Sequence, residues 1–192
     1  LEALKGFEAY SLLNRSYDET DILPKTWRAR KILVNWILFW SFFRNNYKFY
    51  KKALRYKNLN LFPKAYQAFF YVHFLLKNKI QVIHAHYANN GIQASIFKEL
   101  GLPIKLIVSF HGYDLRLGLK EPNGYYNELF ARCNKVIAIS NYSKKHLLEF
   151  GLQKHKLIVL PNGIDTNFYK KIGNDRYSNG VQFLSVGRLV EE

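Results

Sequence analysis

Three histidines stand at the ends of two apolar runs, His84 and His86 in "IQVIHAH" and His111 in "IKLIVSFHGYDLR". An imidazole near neutral pH donates or accepts a hydrogen bond and can ligate a metal. The chemistry on offer is therefore metal binding or the holding of a hydroxyl-rich ligand. Alternation along an extended strand turns His84 and His86 to the same face, but no third ligand with matching spacing accompanies them, so no metal is expected. His86, nearer the end of its run, is a binding candidate, whereas His84 reads as a core histidine. After His111 comes Gly112, which lets the backbone turn and approach a ligand. Asp114 follows, close enough to cap the next turn or to accept a hydrogen bond. Further on, "VLPNGID" carries Asn162 and Gly163, readable as a plain turn or as a ligand contact. In "SVGRL", Arg188 beside Gly187 has a guanidinium whose geometry matches diphosphate oxygens.

Residues so far apart in sequence need a scaffold to bring them together. Short, almost continuously apolar runs recur at 80–86, 104–110, 135–140, 156–161 and 181–187. Such runs belong to strands buried on both faces, as in a parallel sheet. Between them lie helix-like pieces, "NGIQASIFKELG", "NGYYNELFARC" and "SNYSKKHLLEFG", the last with a Ser or Asn start and Gly151 as its stop. Alternating strands and helices predict an open α/β parallel sheet with right-handed crossovers. In such a sheet the ligand crevice lies outside the carboxyl ends of the strands. The residues that end the runs are His86, His111, Ser140, Asn162 with Gly163, and Gly187 with Arg188. All are polar or glycine, which suits a sugar or nucleotide ligand.

Charge is distributed unevenly along the 192 residues. Of the net +15, almost all sits between Ile22 and Lys98, where 14 Lys or Arg occur with no Asp or Glu. The three tryptophans lie there too. Between Trp27 and Lys57 the sequence is dense in aromatics and bases, with an apolar heart from Ile32 to Phe43 that is too short to cross a bilayer. This segment suits a helix lying in an anionic membrane surface, with Trp27, Trp36, Trp40 and Phe43 at headgroup depth and Lys51, Lys52 and Arg55 on anionic lipid. A core helix with a solvated basic neighbour is the plainer alternative, and a nucleic-acid surface a third. The single cysteine, Cys133, cannot form an intramolecular disulfide and the chain starts with no leader pattern, so a cytoplasmic setting is expected. The chain has no methionine, which is expected of a segment of something longer.

The motifs "IHAHYANNG", "VSFHGYDLR", "VIAISNYSKKHLLEFG", "IVLPNGIDTNFY" and "FLSVGRLVEE", in this order over residues 80–192, resemble glycosyltransferase family 4. These are retaining enzymes of the two-domain GT-B fold. "HAHYANNG" with "FHGYDLR" and "YYNELFARC" is further similar to the branch that builds bacterial exopolysaccharides of the colanic-acid and amylovoran kind. The resemblance implies a Rossmann-like N-terminal, acceptor-side domain, truncated at the start of the second domain. Its parts would be a basic, aromatic-rich region at 1–79 with a membrane-surface segment at 27–57, a β/α region at 80–168, a linker at 169–180, and the first strand of the second domain at 181–192.

The resemblance also implies roles. His111 would reach the sugar being transferred and Asp114 would lie on the acceptor side. The turn with Asn162 and Gly163 would sit near the hinge, and Gly187 and Arg188 would meet the donor diphosphate. The lysine that normally follows Arg188 is absent, as are the paired glutamates that hold the donor. A cofactor is not expected, since the UDP- or GDP-sugar is a substrate. The implied reaction moves a hexosyl group to a saccharide acceptor on a lipid diphosphate, at the inner face of the plasma membrane. This segment alone is expected to be inactive. The rivals are a nucleotide-sugar epimerase of the same fold and a basic module that binds membrane or nucleic acid without catalysis; no nucleic-acid-binding signature occurs, and no nucleic-acid partner is expected.

Overall fold

The computed structural model of the chain describes residues 26–56, 66–169 and 183. Most of the expected linker, the strand at 181–192 apart from Phe183, and with it Gly187 and Arg188, lie outside the described residues. The chain divides into two units at Pro161 and Asn162.

The first unit contains the sheet. Its strands are β1 (Val82–His86), β2 (Lys105–Phe110), β3 (Lys135–Ala138) and β4 (Leu157–Val159), all parallel and in the order β1-β2-β3-β4. The predicted parallel α/β sheet is thus observed, with β1 and β2 ending where their apolar runs end and β3 and β4 ending two residues short of theirs. The connections carry α4 (Ala88–Glu99), α5 (Gly112–Lys120), α6 (Asn127–Arg132) and α7 (Asn141–Glu149). Three earlier helices, α1 (Trp27–Phe43), α2 (Tyr47–Arg55) and α3 (Gln67–Lys77), precede the sheet.

Sequential strand order with crossovers of one hand places the connecting helices on one face of the sheet. That face carries Ala85, Leu106, Val108, Phe110, Val136 and Ala138, all buried with Ala88 and Ala94 of α4, Leu129 and Phe130 of α6 and Leu147 of α7. Burying each larger side chain of this set contributes about 1.5–3 kcal/mol. Helix α4 comes close because of Gly91, where a Cβ would stand 2.8 Å from Val108 Cγ1. The glycine of "ANNG" is therefore a packing residue. The opposite face, with His84 and His86 on β1, Ile107 and Ser109 on β2 and Ile137 on β3, joins neither core cluster of the described residues. His84 is exposed, which corrects its reading as a core histidine.

A second core cluster joins α1–α3 to the carboxyl end of α4, through Val34, Ile37, Phe49, Ala53, Phe69, Phe70 and Val72 against Ile96, Phe97 and Leu100. Here the expected single helix across 27–57 is corrected. The stretch forms two helices broken at Arg44–Asn46, with Asn45 in the left-handed region at φ 56°. Asparagine tolerates that conformation at little cost, and Asn46 N–H returns to Ser41 C=O at 3.1 Å. Thr26 starts α1 by accepting the Ala29 N–H at 3.2 Å. No described helix is long and apolar enough to cross a membrane.

In the second unit the described residues form a short turn, with Asp165 accepting the N–H groups of Asn167 at 2.8 Å and Phe168 at 3.2 Å.

Candidate functional site

The carboxyl ends of β1 and β2 bring together residues 25 positions apart. Ser109 stands opposite His86 in the parallel register, so His111, two residues beyond Ser109, emerges beside His86. His86 Nδ1 lies 3.3 Å from His111 Nε2, and the two rings stack with centroids 5.6 Å apart. One nitrogen donates and the other accepts, so the pair holds a proton between two rings. The Tyr87 ring packs on His111 from another side at 4.6 Å. His84 continues the row at 4.6 Å from His86 and bonds to Ser109 Oγ at 2.8 Å. Partial burial of its ring, then the neighbouring His86 and His111, push His84 below its ordinary value. At neutral pH His84 is therefore uncharged. Among the described residues no group of three His, Cys, Asp or Glu side chains is placed so that it could hold a metal ion.

The backbone beneath these rings is held by Asp114. Its carboxylate is fully buried; Oδ1 accepts the Ala88 N–H at 2.9 Å and Oδ2 the His111 N–H at 2.8 Å. Asp114 C=O in turn accepts the Tyr126 hydroxyl at 2.8 Å. Both carboxylate oxygens thus serve the fold. Asp114 thus fixes the backbone at His111; the resemblance implied a place on the acceptor side.

Gly112 opens α5 with ordinary helical backbone, and a Cβ there would meet nothing within 4 Å. The turn does not require a glycine; what the missing side chain leaves is open space at the helix start, beside His111. Tyr87 carries the backbone strain instead, with φ 70° and ψ 144°. That conformation costs an ordinary residue on the order of 1–3 kcal/mol. Its N–H is fixed on Ser109 C=O at 3.0 Å, and α4 begins immediately after it. Tyr87 and Ser109 were not singled out from sequence; a tyrosine directly after a strand and before a helix start was the available signal.

Ser140 caps α7, its Oγ accepting the Ser143 N–H at 3.1 Å. It is a helix start more than a ligand contact. The amino ends of α4, α5 and α7 all follow the carboxyl ends of strands, so their positive dipole ends share the edge where the histidines stand. Asn162 and Gly163 are exposed in the second unit.

The residues expected at a membrane surface lie on α1 and α2. Trp27, Trp36, Trp40 and Phe43 are 62%, 58%, 48% and 69% exposed, and Lys51, Lys52 and Arg55 are exposed on α2. Val34, Ile37 and Ser41 form the buried stripe of α1, which leaves its other face aromatic. Phe39 meets Trp40 at 5.8 Å and Phe43 at 5.4 Å, edge to face. Exposed apolar surface of this extent marks a site of association.

The profile of glycosyltransferase family 4 matches residues 38–168, more than half of the chain. The chain belongs to that family. Among individual proteins it is similar to a protein of Escherichia coli named as a colanic acid biosynthesis glycosyltransferase, WcaL, at 27% identity over 117 residues. The match covers 59% of this chain and 29% of that relative. The protein of the same name from Salmonella typhimurium is 29% identical over 114 residues, covering 58% of this chain and 28% of the relative. The chain thus spans less than a third of the length of the curated relatives it matches. No solved structure matches it.

Proposed function

We propose that this chain is the acceptor-side part of a retaining glycosyltransferase of exopolysaccharide biosynthesis, moving a hexosyl group from a nucleotide sugar to a lipid-linked saccharide. The observation that carries the reading is the His86–His111 pair at the carboxyl edge of a parallel sheet, in a chain of this family. The names of the two relatives support the pathway.

In the reaction the bond from the anomeric carbon to the donor phosphate breaks, one to the acceptor oxygen forms, and the hydroxyl proton leaves with the diphosphate. His111 is the group that touches the sugar: its ring, held by His86 and Tyr87, bonds a donor hydroxyl and orients the anomeric carbon. The departing diphosphate gains negative charge, and Arg188, Gly187 and backbone N–H groups are assigned to it. Asn162 and Gly163 are assigned to substrate near the hinge. The exposed aromatic face of α1 and the bases of α2 support a position on the cytoplasmic face of an anionic membrane, where a lipid-linked acceptor would be presented.

The test is His111→Ala in the complete protein. Turnover is expected to fall at least about tenfold with unchanged melting, because a positioned polar group contributes about 2–4 kcal/mol in such a role. Near-normal turnover in the folded variant removes His111 from the mechanism.

A further inference from the structure

The strand-end site makes no use of a cavity of about 400 Å³ among α1, α2 and α3. Ligand sites of small molecules begin at about this size. One wall is apolar, made by Trp36, Ile37, Trp40 and Leu76. Arg44, from the break between α1 and α2, and Lys77, from the last turn of α3, also line it. From Ile22 to Lys98 the sequence supplies no carboxylate side chain to offset them.

We propose that this cavity binds one phosphate-bearing lipid of the bilayer, its phosphate between Arg44 and Lys77 and the start of its hydrocarbon chain against Trp36, Ile37, Trp40 and Leu76. The inference rests on the reading of α1 as a membrane-facing helix and gives that helix a particular ligand.

Three observations converge on this ligand chemistry. Two cations beside an apolar wall complement an anion carried on a hydrocarbon chain. The cavity is also continuous with the exposed aromatic surface, because Trp36 and Trp40 belong to both. A chain too long for the enclosed space therefore runs out over that surface into the bilayer. Finally, Tyr50 and His73 form a neutral hydrogen-bonded pair in the lining, the hydroxyl 3.1 Å from His73 Nδ1. Burial pushes Tyr50 up to about 12, so its hydroxyl keeps its proton and donates. Burial, followed by the charges of Lys77 and Arg44, holds His73 low. The positive charge of the cavity thus comes from Arg44 and Lys77, and an anion placed between them is not met by any titrating acid of this segment.

The test titrates the whole chain with dihexanoyl phosphatidylglycerol, kept below its micelle-forming concentration, and follows tryptophan emission in a Trp27→Phe background so that Trp36 and Trp40 report alone. Saturable one-to-one binding with a blue shift is expected, weakened about tenfold or more by Arg44→Ala with Lys77→Ala. Leu76→Phe, which narrows the space without adding a tryptophan, should abolish saturable binding while flotation with anionic vesicles persists through α1. Equal binding of dihexanoylglycerol overturns the role of the two cations. Equal binding of inorganic phosphate overturns the role of the apolar wall, and displacement of the lipid by an oligonucleotide overturns the ligand class. Retention on vesicles without saturable lipid binding overturns the cavity assignment and leaves the membrane reading standing. Loss of both overturns both.

Discussion

Asp114 accepts the backbone N–H of Ala88 at 2.9 Å, across 26 positions of the chain, while its second oxygen holds His111 N–H. One buried carboxylate therefore ties the start of α4 to the start of α5 and fixes the chain just after His86 and at His111. Asp114→Ala leaves two N–H groups without their partner, each costing about 1–3 kcal/mol. A loss of about 3 kcal/mol in the urea unfolding free energy is expected. An unchanged midpoint with lost transfer would instead return Asp114 to direct contact with the acceptor.

Gly91 and Gly112 should respond oppositely to alanine. Gly91→Ala drives a methyl group into Val108 and Leu129 and is expected to cost about 1–3 kcal/mol. Gly112→Ala meets nothing and should leave melting unchanged. Its effect, if the open space beside His111 admits substrate, appears as a raised KM. Equal melting of the two variants would contradict the packing at Gly91.

His84 and His73 make the fold sensitive to mild acid. Both are held below the ordinary value of 6.5 in the folded chain, by burial first and then by neighbouring positive charge. Above that value both are neutral whether the chain is folded or not, and they cost nothing. As pH falls below it, the unfolded chain takes up protons that the folded chain resists, so stability declines with acidification. Urea melts from about pH 7 to about pH 5 should show that slope, reduced by His84→Gln with His73→Gln. An identical slope in the double variant rules the two histidines out.

Tyr87→Gly removes a strained conformation worth about 1–3 kcal/mol together with an exposed ring. Unfolding stability should stay level or rise, while transfer falls because His111 loses the ring packed on it. A variant that is both less stable and fully active would show that the strain has no bearing on the site.

Much of the sheet was legible because burial on a parallel sheet writes itself as an apolar run, and the four runs up to Pro161 became β1–β4. Ser140 and Gly151 marked the ends of α7 by local chemistry, a side-chain cap and a positive φ of 94°. Helix α5 escaped notice since "GYDLRLGLK" has two glycines and weak periodicity. What anchors it is the Asp114 bond to Ala88, a distant contact that no local window contains. His84 departs from the core reading because a parallel sheet is ordinarily covered on both faces, whereas its face here joins neither core cluster of the described residues. The break between α1 and α2 did leave a signal, the paired asparagines of "FRNNY", outweighed by the aromatic density around it.

The order β1-β2-β3-β4 makes each strand the partner of the one before it in the chain. Loop closure between neighbours costs less entropy than pairing of distant segments, so this sheet forms from contacts of short reach. A chain growing from its amino end on the ribosome can lay Lys105–Phe110 on Val82–His86, then Lys135–Ala138 on that edge, without waiting for sequence still to be made. Each newly laid strand is also the open edge until its successor arrives. The interval between one strand and the next is when another chain can pair there instead, and the short crossovers keep that interval brief.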